Sequence, residues 1–140
     1  MKYLIDTNII LDVMLKRPAF VEGSSAVLYL CENKTILGFV TASAITDIYY
    51  ILRKALKDRE QAYKYLGHVL EIVSVLPVVP EDITDAYLLK AQDFEDALIY
   101  VCAERNGLNG IVTRDKKDFA EFDIKTFSPE VLNSYMLNEA

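Results

Sequence analysis

The sequence predicts a three-layer α/β/α domain built on a central parallel sheet. Short apolar runs alternate with segments of helical period along the whole chain, which is the pattern of strand–helix–strand units. A hydrophobic fraction of 52% against 26% charged residues, in 140 residues, suits one domain, 1–140, with a real core. Acidic residues recur where strands give way to helices, and ligands of parallel α/β sheets bind at the strands' carboxyl ends.

Tyr3-Leu4-Ile5 is the first strand, and it runs straight into Asp6-Thr7-Asn8. From there Ile9, Ile10, Val13 and Met14 recur at helical spacing, so a short helix reaches about Leu15 and Lys16-Arg17-Pro18 closes it. A second helix covers Val21 to Glu32, and Ile36 to Val40 is a second strand, weakened by Gly38. Thr41-Ala42-Ser43 opens a third helix, with Ile45, Ile48, Leu52, Ala55 and Leu56 as its apolar stripe and Asp47 near its start. A fourth helix from about Arg59 to Glu71 leads into a strand at Ile72 to Leu76, and Pro77 and Pro80 bracket a turn.

Glu81 to Ala91 is amphipathic. Gln92-Asp93-Phe94-Glu95-Asp96 opens the next helix, which runs to about Arg105 and stops at Asn106-Gly107. Gly110 to Thr113 is a fourth strand, with Arg114-Asp115 at its carboxyl end and Asp118-Phe119 about one turn on. Ile124 to Phe127 is a short edge strand, and Ser128-Pro129-Glu130 begins the last helix, with serine as cap and proline at its first position. The pattern leaves the strand order open.

The net charge of -6 argues against a non-specific nucleic-acid coat, whose phosphate contacts need Lys and Arg. It is compatible with an acidic metal centre and with a basic partner. Cys31 and Cys102 fall in apolar helical patterns without a metal or redox spacing, and read as buried free thiols. With no signal region and no apolar run long enough to span a bilayer, a soluble cytoplasmic protein without membrane attachment is expected.

Asp6, Asp47, Asp96 and Asp115 stand at places that can meet, and Asp93 lies three residues before Asp96. Asp6 has two open readings, a helix cap or a metal-holding carboxylate. Crowded carboxylates repel one another, and a divalent cation removes that conflict. An oxygen-only donor set suits Mg²⁺ or Mn²⁺, and such ions support phosphodiester hydrolysis by activating water and neutralising the leaving oxygen.

Asp6-Thr7-Asn8, Asp96-Ala97 and Thr113-Arg114-Asp115 resemble the motifs of PIN-domain ribonucleases, above all the VapC-like toxins of toxin–antitoxin pairs. The resemblance implies a parallel sheet flanked by helices and cleavage of RNA, single-stranded or structured (transfer RNA included), with Mg²⁺ or Mn²⁺. It implies Asp6, Asp47, Asp96 and Asp115 as catalytic carboxylates, with Asp6, Asp96, Asp115 and Asp93 toward the metal. Asn8, Thr113 and Asp118 surround them. It also implies a homodimer and a small antitoxin that inserts a basic residue into the acidic groove. Asp47 departs from the pattern, because the family usually has Glu there.

Arg114, Lys116 and Lys117 read either as a basic rim for RNA phosphates or as a solvated loop, and Lys16 and Arg17 invite the same pair of readings. Tyr49 and Tyr50 could stack on bases or pack in the core. His68 has no partner in sequence and takes no catalytic role. Two competing functions stand beside the nuclease. One is a degenerate PIN-like module that binds RNA or protein without cutting. The other is a haloacid-dehalogenase-like phosphatase, although Asn8 occupies the place where that family needs a second Asp.

Overall fold

A computed structural model describes residues 1–139. The elements are β1 Lys2–Ile5, α1 Thr7–Met14, α2 Val21–Glu32, β2 Leu37–Thr41, α3 Ala42–Leu56, α4 Arg59–Ile72 and β3 Ser74–Leu76. They continue with α5 Pro80–Leu89, α6 Phe94–Arg105, β4 Gly110–Val112, a one-turn 3₁₀ helix Lys116–Phe119, β5 Thr126–Phe127 and α7 Pro129–Glu139. The five strands form one sheet in the order β3-β2-β1-β4-β5, and every neighbouring pair is parallel.

Side-chain alternation along β1 divides the core. Tyr3 and Ile5 face one way, into a cluster with Ile9, Ile10, Val27, Ile48, Leu52, Val69 and Leu132 from α1, α2, α3, α4 and α7. Leu4 faces the other way, into a cluster with Ala86, Ala97, Leu98, Cys102, Ile111 and Phe119 from α5, α6 and the strand and 3₁₀ helix that follow. The expected three layers are therefore present. Cys31 and Cys102 are buried and free, and no helix among the described residues is long and apolar enough to cross a membrane.

The differences from the sequence reading are local. Thr41 both ends β2 and stands as the N-cap residue of α3, without a cap bond from its side chain. α4 keeps Ile72, so β3 starts at Ser74. α5 stops at Leu89 because Lys90 turns left-handed at φ 51. α6 starts at Phe94, because Asp93 is extended and caps it. Gly38, expected to weaken β2, has a packing reason: a Cβ there would lie 2.6 Å from Cys31 Sγ and 3.2 Å from Ile5 Cγ1.

The strand order places the site. From β1 the chain moves through β2 to β3 at one edge, then returns to the other side of β1 with β4 and β5. The direction of progression thus reverses between β1 and β4, and the crevice outside the carboxyl ends of such a pair is where open α/β sheets bind ligands. Asp6 follows β1 and Thr113 follows β4, and the Asp6 backbone N–H donates to the Val112 carbonyl at 2.9 Å.

Candidate active site

Asp6 caps α1 and keeps its second oxygen free of the cap. Its backbone is extended at the N-cap of α1, and Oδ1 accepts the Thr7 N–H at 2.8 Å. Oδ2 points away from that cap and accepts the Thr113 hydroxyl at 2.7 Å. The same hydroxyl oxygen accepts the Asp115 N–H at 3.0 Å. Thr113 is fully buried, so one side chain joins Asp6 to the segment that carries Asp115. Asn8, in the first turn of α1, donates from Nδ2 to Asp115 Oδ2 at 3.0 Å. Its Oδ1 is buried and has no hydrogen-bond partner among the described residues.

The electrostatics record the crowding. Burial raises the Asp6 carboxyl above its ordinary value, the hydrogen bonds from Thr113 and Thr7 hold it down, and the charges of Asp115 and Asp118 push it up again. Burial pushes Asp96 up to about 7, with the charges of Asp93, Asp6, Asp118 and Glu95 adding to the effect. Asp93, Asp6 and Asp118 thus act on Asp96, and Asp115 and Asp118 act on Asp6. The role of Asp93 differs in kind. It does not share a helix face with Asp96 but caps α6, Oδ1 accepting the Asp96 N–H at 2.9 Å.

Asp47 joins these carboxylates through Glu95, which the sequence reading passes over. Burial raises the Glu95 carboxyl, and so do the charge of Asp47 and a hydrogen bond shared with it. The signal was available: Glu95 sits in the first turn of α6, beside Asp96.

Asp12 is the second residue the sequence reading passes over. It is fully buried among the apolar residues Ile9, Ile10, Leu11 and Met14 of α1 and pairs with Arg114. Arg114 accordingly lies against Asp12 and over the Phe20 ring, 3.8 Å from its centroid, and not free at the rim. Arg17 also turns to Asp12, at 3.4 Å. Lys116 and Lys117 are exposed beside Asp115. Tyr49 packs against the core, whereas Tyr50 is 70% exposed. His68 meets only the Tyr65 ring among its described contacts.

The donor set is suited to a hard divalent cation: carboxylate oxygens that repel one another, with an amide acceptor, Asn8 Oδ1, buried beside them. Among the described residues no three His, Cys, Asp or Glu side chains already form a metal-ligating group.

Residues 2–117 match the sequence model of the PIN domain. The chain belongs to the PIN-domain family. That match spans Asp6, Asp47, Asp93, Asp96 and Asp115 and stops one residue short of Asp118. The phosphatase reading is not favoured, and Asn8 donates to Asp115 from the position where that reading needs an Asp. Over 135 residues this PIN domain is 29% identical to Ribonuclease VapC1 of Aquifex aeolicus (strain VF5), covering 92% of this chain and 91% of that one.

Its fold is similar to that in the crystal structure of VapBC2 from Rickettsia felis bound to a DNA fragment from their promoter. The TM-score is 0.73 at 18% identity, over 91% of this chain and 98% of that one. It is also similar to Mycobacterium tuberculosis VapC20, described as a Sarcin-Ricin loop cleaving toxin. There the TM-score is 0.68 at 14% identity, over 85% of this chain and 94% of that one.

Proposed function

We propose that this PIN domain is a metal-dependent endoribonuclease and the toxin of a toxin–antitoxin pair. The observation that carries the reading is the gathering of carboxylates at the β1–β4 switch point, where Thr113 and Asn8 tie Asp6 and Asp115 together and burial, with the charges of Asp93, Asp6 and Asp118, pushes Asp96 up to about 7. Asp6, Asp96 and Asp115, with Asp93 beside them, would hold Mg²⁺ or Mn²⁺. When bound, such an ion supplies water activation and neutralises charge on a phosphodiester.

The chain's own residues set up that chemistry. Thr113 orients Asp6 Oδ2 and the Asp115 backbone, and Asn8 orients the Asp115 carboxylate. Glu95, which burial and the neighbouring Asp47 raise together, would supply the longer reach that Asp47 lacks. Lys116 and Lys117 offer exposed cations to RNA phosphates beside Asp115.

The substrate is RNA, single-stranded or structured, with transfer RNA among the first to try, and the setting is the cytoplasm. A small antitoxin with a basic residue suits the acidic groove, and a similar fold occurs in a VapBC complex. A homodimer is part of the same reading and rests on the family resemblance.

The test is incubation of the protein with a mixed pool of single-stranded and transfer RNA, with Mg²⁺ or Mn²⁺, beside EDTA and Asp6→Asn controls. Cutting that vanishes in both controls supports the proposal. Saturable RNA binding with no cutting in any divalent ion would replace it with the non-catalytic binding module.

A further inference from the structure

We propose that Asp12 is a positioning residue for the acidic site, acting through its buried ion pair with Arg114 to fix the Thr113–Asp115 segment against α1. The inference rests on the nuclease reading for its catalytic consequence. The geometry itself does not depend on that reading.

Asp12 sits among Ile9, Ile10, Leu11 and Met14, all buried on α1. A carboxylate in such a place is costly unless it is fully paired, and an apolar residue of similar volume would pack there at least as well. Both oxygens are used. Oδ2 accepts Arg114 Nε at 2.7 Å and the Ser24 hydroxyl at 3.0 Å. Oδ1 accepts Arg114 Nη2 at 3.1 Å and Arg17 Nη1 at 3.4 Å. The two bonds from Arg114 form a fork, which fixes the direction of the guanidinium as well as its distance.

What that fork holds is the short link between β4, which ends at Val112, and the 3₁₀ helix, which begins at Lys116. Asp12 and Asn8 are one turn apart on α1 and so share a face. Asn8 grips the Asp115 side chain and Asp12 grips Arg114, the residue before it. Thr113, one residue earlier again, grips Asp6. Three consecutive residues are therefore pinned by three side chains of one strand–helix unit. The Nε–Nη2 edge of Arg114 is occupied by Asp12, so this arginine orients the site while Lys116 and Lys117 remain for phosphate.

The double variant Asp12→Leu/Arg114→Met tests the inference, because it removes both charges of the fork together; Arg17 is free to turn to solvent, and the buried Ser24 hydroxyl is the one group left without its partner. It should melt within a few degrees of the wild type, the lost Ser24 bond offsetting the gain from removing a buried ion pair. The Asp115 amide, bonded to Thr113, should lose protection from hydrogen exchange while the amides of β1 keep theirs. The Mn²⁺ dissociation constant should rise by about 10- to 100-fold. kcat for RNA cleavage should fall over the same range, with KM and its salt dependence unchanged.

Wild-type exchange at Asp115 together with wild-type Mn²⁺ affinity would overturn the proposal, leaving a pair that only packs. A raised KM with a flatter salt dependence and unchanged kcat would also overturn it, by making Arg114 a phosphate contact. Should wild-type protein neither bind Mn²⁺ nor cut RNA, the nuclease reading falls, and the exchange measurement still decides the positioning claim. If the double variant does not fold, Asp12→Asn keeps the side-chain size and is read the same way.

Discussion

The Thr113 hydroxyl donates to Asp6 Oδ2 across 2.7 Å and so ties the carboxyl ends of β1 and β4 at the point where the sheet reverses direction. It is also among the contacts that hold the Asp6 carboxyl down against burial and its acidic neighbours.

Thr113→Val keeps the shape and removes this bond. Asp6 should then titrate at a higher pH, so that at a given acidic pH less of it is ionised. The acid limb of the cleavage–pH profile should move upward, with activity at neutral pH lower by about 10- to 100-fold. A profile superimposable on that of the wild type would contradict the assignment of Thr113.

Asp96 gives the metal-free protein an unusual pH dependence. Its folded value, about 7, lies above the ordinary 3.8, so between those values the folded state binds the extra proton. The sign follows: stability falls as pH rises from about 4 to about 7, instead of rising as it does for a salt-bridged carboxylate. In EDTA the melting temperature should therefore drop from pH 5 to pH 8, and Asp96→Asn should remove much of the drop. Thermal scans across that range check it.

Asp82 works in the opposite sense. It is fully buried between α5 and α6, where Arg105 Nε donates to Oδ1 at 2.7 Å and Nη2 to Oδ2 at 3.0 Å. The Arg105 guanidinium holds its carboxyl below the usual range, so its stabilisation is present above the unfolded value and is lost as pH falls through the folded one. Arg105→Met strands this carboxylate and should cost about 3 kcal/mol in urea unfolding at pH 7, the low end for a broken buried pair because Arg105 is partly exposed.

Gly110 starts β4, and a Cβ there would meet the Lys125 carbonyl oxygen at 2.8 Å and the Phe127 ring at 2.9 Å. Backbone cannot yield as a flexible side chain can. Gly110→Ala should destabilise by about 1–3 kcal/mol, measured by urea unfolding, through displacement of β5 from β4.

Much of this architecture is legible from the chain alone, because period and capping residues are local signals. Asp6 before an apolar helix and Pro129 after Ser128 mark their elements directly. Strand order is not local: nothing within β1 says that β2 and β4 flank it. The limits of α5 and α6 differ by a residue or more from what the sequence predicts, since Lys90 adopts a left-handed turn without being glycine and Asp93 caps instead of joining the helix. Asp6, Asp96 and Asp115 were legible through their positions after strands or at a helix start. Asp12 is not legible as a site residue from the sequence, although a charge among Ile9, Ile10, Val13 and Met14 calls for a cation beside it. That cation, Arg114, lies 102 positions along the chain. Glu95 is hidden by its neighbour Asp96, and its partner Asp47 lies on another helix, α3, far from it along the chain.

The central claim is that these carboxylates act together on one divalent ion. Calorimetric titration of Mn²⁺ into the metal-free protein at neutral pH addresses it most directly. Saturable binding with release of protons is predicted, because Asp96 is partly protonated at that pH and must ionise to ligate. Asp96→Asn should bind about tenfold or more weakly and release fewer protons. Absence of saturable heat with the wild type, or equal affinity and equal proton release in the variant, would contradict the account.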